Sequence, residues 1–243
     1  MSERPVEFGP LRGILHDAGK GPAFACVHGL TLKHSMFADL GAMAEAAGIS
    51  LLRFHLSGHH DSGGKLEEQG FLDQLADLLL ALEFLGDQKG VDPARVGLLG
   101  FSMGGALAAV ASKKAPLKAL ATWGSLWDTK RWTDARLEQY GAPDSGMVKI
   151  WDGIPVSARL FSEAIGLDPY QDALGFKGPF FAAHGGRDRN HPQEKSIELV
   201  AERKKLGLPA QGYFPERSGH KFQVPEDWNE LNQKTLDFFK ASL

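Results

Sequence analysis

Ser102 stands in the run Gly100-Phe101-Ser102-Met103-Gly104-Gly105, between an apolar stretch that begins at Val96 and an alanine-rich stretch, Ala106 to Ala111. That order predicts a strand, a very tight turn and a helix. Glycines two residues to either side let the backbone bend without a Cβ in the way. The hydroxyl is then pushed out at the head of the helix, the arrangement of a nucleophile elbow with G-x-S-x-G spacing. The chemistry this allows is attack on a carbonyl carbon. The bland alternative is an incidental serine in a turn of small residues.

A serine hydroxyl is a poor nucleophile at neutral pH. It needs a base within hydrogen-bond reach, and the base needs a group that fixes its tautomer. Asp188 follows the apolar stretch that ends at Ala183, on a loop loosened by Gly185 and Gly186. Open α/β sheets place their sites just there, past the carboxyl ends of strands. Asp128, beyond the earlier stretch ending at Trp123, is the rival acid, and the alternative reading of Asp188 is a surface partner of Arg187 or Arg189. Of nine histidines, His220 follows the last predicted strand, beside Gly219, whereas His16, His34, His55 and His191 lack such a setting. His59 and His60 are adjacent, but no third ligand at metal-like spacing accompanies them, so no zinc or other metal site is expected.

The order nucleophile, acid, histidine resembles the α/β-hydrolase superfamily. Four motifs carry the likeness, from His28 to Phe222. They are His28-Gly29-Leu30, the elbow at Ser102, the stretch from His184 to Pro192 in an H-G-x-x-D-x-x-x-P pattern, and Ser218-Gly219-His220-Lys221-Phe222. Within the superfamily the chain is most similar to small serine esterases with a short cap, the cinnamoyl (feruloyl) esterase-like group and its dienelactone-hydrolase-like neighbours. Dienelactone hydrolase proper uses cysteine at the elbow, and dehalogenases and epoxide hydrolases use aspartate.

The resemblance implies a catalytic triad of Ser102, Asp188 and His220, with the backbone N–H groups of Leu30 and Met103 as the oxyanion hole. His28 is implied to brace the turn. The implied activity is cofactor-free hydrolysis of carboxylic esters, with aryl or hydroxycinnamoyl esters as candidate substrates, through an acyl-enzyme on Ser102. Thioesters, small amides or peptides, and acyl transfer use the same machinery. A non-catalytic binding protein on this fold is the alternative of another class, although such proteins usually lack one of the three residues. The loop from Phe54 to Gly64 resembles the family's G-H-G-x-S loop, with His60 where glycine is usual. A positive φ there is uncommon for histidine.

These residues need a scaffold, and the pattern supplies one. Apolar strands alternate with amphipathic helices, which demands a mostly parallel central sheet with helices on both faces. Residues 6–16 predict an N-terminal hairpin. Ser35 is a candidate cap for a helix over 36–47. Phe71, Leu75, Leu78, Leu82 and Leu85 recur at helical spacing, joined by Leu72 and Leu79 on one broad face. Residues 126–168 show no strand–helix alternation and read as a small cap inserted in a single domain spanning 1–243. Its Trp127, Trp132, Tyr140 and Trp151 either line an apolar pocket or seat the cap on the core. The final helix begins near Pro225, with Trp228, Leu231, Thr235 and Phe238 as its buried stripe.

Composition narrows the class. With 43% hydrophobic and 23% charged residues the chain is an ordinary globular one. A net charge of −3 and the absence of a basic stripe argue against nucleic acid. No apolar run is long enough for a bilayer, and the first five residues carry no signal core. The one cysteine, Cys26, lies in an apolar run and excludes an internal disulfide. The expectation is a cytoplasmic monomer or homodimer acting on a small-molecule ester, with no membrane partner.

Overall fold

The computed structural model describes residues 3–141, 143, 146–151 and 153–243. The chain opens with an antiparallel hairpin, β1 (Glu3–Phe8) and β2 (Leu11–His16). It continues through β3 (Gly21–Val27), α1 (Ala38–Ala46), β4 (Ser50–His55), α2 (Phe71–Gly86), β5 (Val91–Phe101), α3 (Met103–Ala111) and β6 (Ala119–Trp123). Next come α4 (Thr129–Tyr140), β7 (Met147–Ile150), β8 (Ile154–Ser157), α5 (Ala158–Ala164) and α6 (Pro169–Gly175). The chain closes with β9 (Phe180–Ala183), α7 (Glu194–Lys205), β10 (Ala210–Tyr213) and α8 (Pro225–Ser242). Among the described residues, eight strands form one sheet in the order β1-β2-β4-β3-β5-β6-β9-β10. It is antiparallel from β1 to β4 and parallel from there on. No described helix is long and apolar enough to cross a membrane.

The central strands β3, β6 and β9 are buried along most of their length and mainly apolar, because successive side chains point to opposite faces and both faces are covered. On β3, Ala23, Ala25 and Val27 enter one core while Phe24 and Cys26 enter the other. On β9, Phe180 and Ala182 divide from Phe181 and Ala183 in the same way. One face is covered by α2, α3 and α7, through Phe71, Leu107 and Leu199 among others. The opposite face is covered by α1 and α8, through Leu40, Leu231 and Phe239.

Three expectations need correction. Ser35 caps nothing: residues 34–37 form a 3-10 turn, and α1 starts after Phe37 with no side-chain cap. Burial of Phe37, Leu40 and Ala44 holds this helix instead. Leu72 is 48% exposed, because one residue past Phe71 the helix has turned about 100° away from the core. Residues 126–168 are not irregular but hold α4, the β7–β8 hairpin and α5. Among its described residues α4 buries only Thr129, Trp132 and Thr133, too few apolar positions to print a helical stripe on the sequence. The α8 stripe is buried at Leu231, Thr235 and Phe238, with Trp228 only half-buried.

The strand that leads to Asp188 is anchored by a buried cation. Arg203 of α7 is fully buried, and its guanidinium donates to the carbonyls of Phe176 (2.7 Å) and Gly178 (2.8 Å), and to that of Ala173 at the end of α6. It also lies 5.0 Å over the Phe180 ring. Burial pulls its pKa down to about 10, so it stays charged at neutral pH. It meets the partial negative charge of a helix C-terminus and the unpaired carbonyls there. Arg203→Met strands those carbonyls. We expect a loss of about 3 kcal/mol or more in unfolding free energy, read as a lower urea midpoint at unchanged slope. A midpoint equal to wild type overturns this.

Candidate active site

The bend at the end of β5 is steep. Ser102 has φ 58° and ψ −121°, a conformation that a non-glycine residue holds only when its surroundings enforce it. Ser102 N–H donates to Trp123 O of the neighbouring strand (2.8 Å), and Ser102 O accepts from Gly105 N–H (2.9 Å) and Leu126 N–H (3.1 Å). Gly100 is required here, because a Cβ at that position would run into the Gly104 carbonyl. The helix that follows presents its first N–H groups toward the hydroxyl, as any helix start does. Among the described residues Met103 N–H has no backbone acceptor.

Two distant loops reach this hydroxyl. His220 Nε2 lies 3.0 Å from Ser102 Oγ, and His220 Nδ1 lies 2.6 Å from Asp188 Oδ2. The three residues are separated by 118 and 32 positions. Asp188 Oδ1 accepts backbone N–H bonds from Asn190 (2.8 Å) and His191 (3.0 Å). Its side chain is fully buried. Burial by itself would raise its pKa. The hydrogen bonds from His184 and His220, the attraction of His220 and the His191 N–H outweigh that and hold the carboxyl well below the usual carboxylate range. Such an ionised acceptor forces His220 to carry its proton on Nδ1, which leaves Nε2 free to take one from Oγ.

The two other readings of the carboxylates fail on position. Asp128 is exposed and caps α4, accepting from Arg131 N–H at 2.8 Å. Arg187 and Arg189 make no ion pair with Asp188 among the described residues.

Two residues beside Asp188 were given no role of their own by the sequence. His184 is fully buried, with Nε2 3.0 Å from Asp188 Oδ2 and 2.8 Å from His191 O. Both neighbours are acceptors, so Nε2 carries the proton. Nδ1 then accepts from Ser196 Oγ–H (2.7 Å), whose oxygen accepts from Trp127 Nε1–H (2.7 Å). His191 has its ring 5.2 Å from that of His220, edge to face. Burial, with the nearby His220, pulls its pKa down to about 3, so it is neutral. The one signal for His184 was its place at the strand end, four residues before Asp188. Nothing local marked His191.

The turn after β3 closes on Ser102. A Cβ at Gly29 would sit 2.9 Å from Ser102 Cβ, so only glycine permits this approach. Leu30 N–H has no backbone acceptor among the described residues, and Thr31 takes φ 60°. Two neutral histidines pin the turn. His28 Nδ1–H donates to Gly29 O (2.8 Å), and its Nε2 accepts from Leu56 N–H (3.2 Å). His59 Nε2 accepts from Thr31 N–H (3.2 Å). Burial pulls His59 down to about 4 and drives His28 well below its ordinary value. His60 does adopt a positive φ, 49°.

Ser102, His220, Leu30 and Met103 line a cavity of about 300 Å³ together with Trp132, Ile150, Trp151 and Phe161. The four aromatics of the insertion thus divide. Trp132 and Trp151 line the cavity, whereas Trp127 is buried on Ser196 and Tyr140 packs on the core.

Comparison with known proteins places the chain. The model of the prolyl oligopeptidase family, Peptidase_S9, matches residues 35–243. An uncharacterised protein of Mycobacterium tuberculosis is 36% identical over 102 residues, 42% of this chain and 35% of that protein, so the match spans about a third of the relative's length. Est1E from Butyrivibrio proteoclasticus, solved with ferulic acid bound, superposes with a TM-score of 0.82 over 98% of both chains at 16% identity. A puromycin-hydrolyzing peptidase of Mycobacterium tuberculosis superposes with a TM-score of 0.76 at 17% identity, over 99% of this chain and 40% of that one. At these identities the structural likeness is one of fold.

Proposed function

The chain belongs to the prolyl oligopeptidase family, with the α/β-hydrolase fold of a serine hydrolase, and on that premise we propose that it cleaves carboxylic esters through an acyl-enzyme on Ser102. In this reading His220 Nε2 takes the Oγ proton as Oγ attacks the carbonyl carbon. Asp188 keeps the imidazole oriented and stabilises the imidazolium. The N–H groups of Leu30 and Met103 hold the oxyanion, and losing one such donor costs about 3 kcal/mol of barrier. The α3 N-terminus adds positive potential at the same point. His220 then returns the proton to the leaving alkoxide, and water repeats the two steps on the acyl-enzyme. Residues 126–168 act as a cap whose apolar walls receive the substituent next to the carbonyl.

The observation that carries this reading is the 3.0 Å and 2.6 Å line from Ser102 through His220 to Asp188, opening on an apolar cavity. The family description favours amide hydrolysis as a second reading. The size of the cavity favours a small acyl or aryl group over an extended peptide. Initial rates on p-nitrophenyl esters of graded chain length, methyl hydroxycinnamates, acyl thioesters and aminoacyl anilides separate the two. We expect kcat/KM for the best ester to exceed that for the best anilide at least 100-fold. Anilides turned over as fast as esters would replace this assignment with a peptidase.

A further inference from the structure

The charge around this cavity is opposite in sign to that of the molecule. The chain carries −3 overall, yet among the described residues no aspartate or glutamate lines the cavity at Ser102, whereas Arg136 and Lys221 do. A second cavity of about 480 Å³ shares Trp132, Arg136, Asn190 and His191 with the first. It adds Arg131, Arg189 and Lys195 against Asp128 and Glu194. Lys195 is paired with Glu198. Arg131, Arg136, Arg189 and Lys221 form no ion pair among the described residues, in contrast to Arg12, Arg53, Arg159 and Arg217, which do.

Arg136 is the pivot. It projects from α4 into both cavities and is half-buried. The single hydrogen bond of its guanidinium among the described residues is to Gln139 Oε1, 2.8 Å away on the same helix. The remaining donors of that planar fork meet no acceptor among the described residues. Its charge also contributes to keeping His191 neutral beside His220. A guanidinium on the wall of an apolar cavity, with no carboxylate beside it among the described residues, offers a counter-ion site for a ligand. The further cations focus a positive field on the same mouth.

We propose that the preferred substrates are anionic, carrying a carboxylate-like group on the substituent that reaches Arg136 while their ester carbonyl lies at Ser102. This rests on the serine-hydrolase reading above and adds the substrate's charge to it. A neutral ester fills the apolar walls equally well but leaves the guanidinium without a partner, so discrimination falls mainly on KM.

Two matched pairs test the idea, one for each side of the ester bond. The first is p-nitrophenyl hydrogen adipate against p-nitrophenyl methyl adipate. The second is 4-acetoxybenzoate against methyl 4-acetoxybenzoate. Rates are taken relative to each compound's spontaneous hydrolysis. In at least one pair the anionic member should have a kcat/KM at least tenfold higher, the difference lying in KM and shrinking in 0.5 M NaCl. Arg136→Gln should reduce that ratio below about threefold, and Arg136→Lys should retain most of it, with circular dichroism confirming that both variants fold. Equal rates within both pairs, preference for the neutral members, or a ratio unmoved by Arg136→Gln overturns the proposal. Binding of the same pairs to the Ser102→Ala protein, followed by tryptophan fluorescence, measures the preference without turnover. Absent hydrolysis with intact anion selectivity therefore counts against the hydrolase reading alone.

Discussion

Ser102→Ala abolishes labelling by a fluorophosphonate probe and lowers kcat on an activated ester by about 10³-fold or more. Ser102 Oγ is the hydroxyl within 3.0 Å of His220 Nε2, and without it no acyl-enzyme forms. What remains is the contribution of binding and of the oxyanion donors. Asp188→Asn belongs to the same expectation. An amide presents donors where Nδ1–H of His220 and Nε2–H of His184 both point at Oδ2. One ring must turn or change tautomer, and a fall of about 10⁴-fold follows when the base is held in the wrong one. His220→Ala should be no worse in combination with Ser102→Ala than alone, because the three act as a unit. Labelling of Ser102→Ala equal to wild type would remove the assignment. So would an Asp188→Asn protein of undiminished kcat.

The second large effect is acid instability well above the carboxylate range. His59 and His191 are 3% and 8% exposed, and burial leads the causes that pull them to about 4 and about 3 from an ordinary 6.5. In the unfolded chain both titrate near 6.5. Their contribution to stability is complete above that pH. It is lost as pH falls, because the unfolded chain binds protons that the folded one refuses, and the loss ends only near the folded pKa. At pH 5 each residue accounts for roughly 2 kcal/mol relative to pH 8. Fully buried His28, shifted in the same direction, adds to the slope. The depressed Asp188 acts in a lower window, below about pH 4, where the unfolded carboxylate starts to protonate. Urea midpoints measured from pH 8 to 5 should fall steadily, and His59→Gln, which keeps an acceptor for Thr31 N–H, should flatten the curve. Midpoints level across that range would refute the account.

The two effects meet in one loop. His59 holds Thr31 beside the turn that carries Leu30, so the histidine that makes the fold acid-sensitive also holds the turn at the nucleophile. Arg136 lines the same cavity as Leu30 and Thr31 of that turn.

What the sequence by itself determined is what local rules decide. Glycines at 100 and 104 around Ser102 specify the bend, because a Cβ at Gly100 cannot pass the Gly104 carbonyl. Mainly apolar strands alternating with amphipathic helices specify a parallel sheet covered twice, because burial on both faces leaves few positions for polar side chains. Asp188 and His220 were legible as loop residues past strand ends. Tertiary structure alone decided what depends on contacts far apart in the chain. It brought His184 and His191 to Asp188 while sending Asp128 to cap a helix, since a hydrogen bond is set by position and not by residue type. It buried Arg203 under carbonyls some 30 residues away and left Leu72 in solvent. It also divided the aromatics, with Trp132 on the cavity wall and Trp127 on Ser196. Those outcomes turn on side-chain packing between elements, which periodicity along one element does not encode.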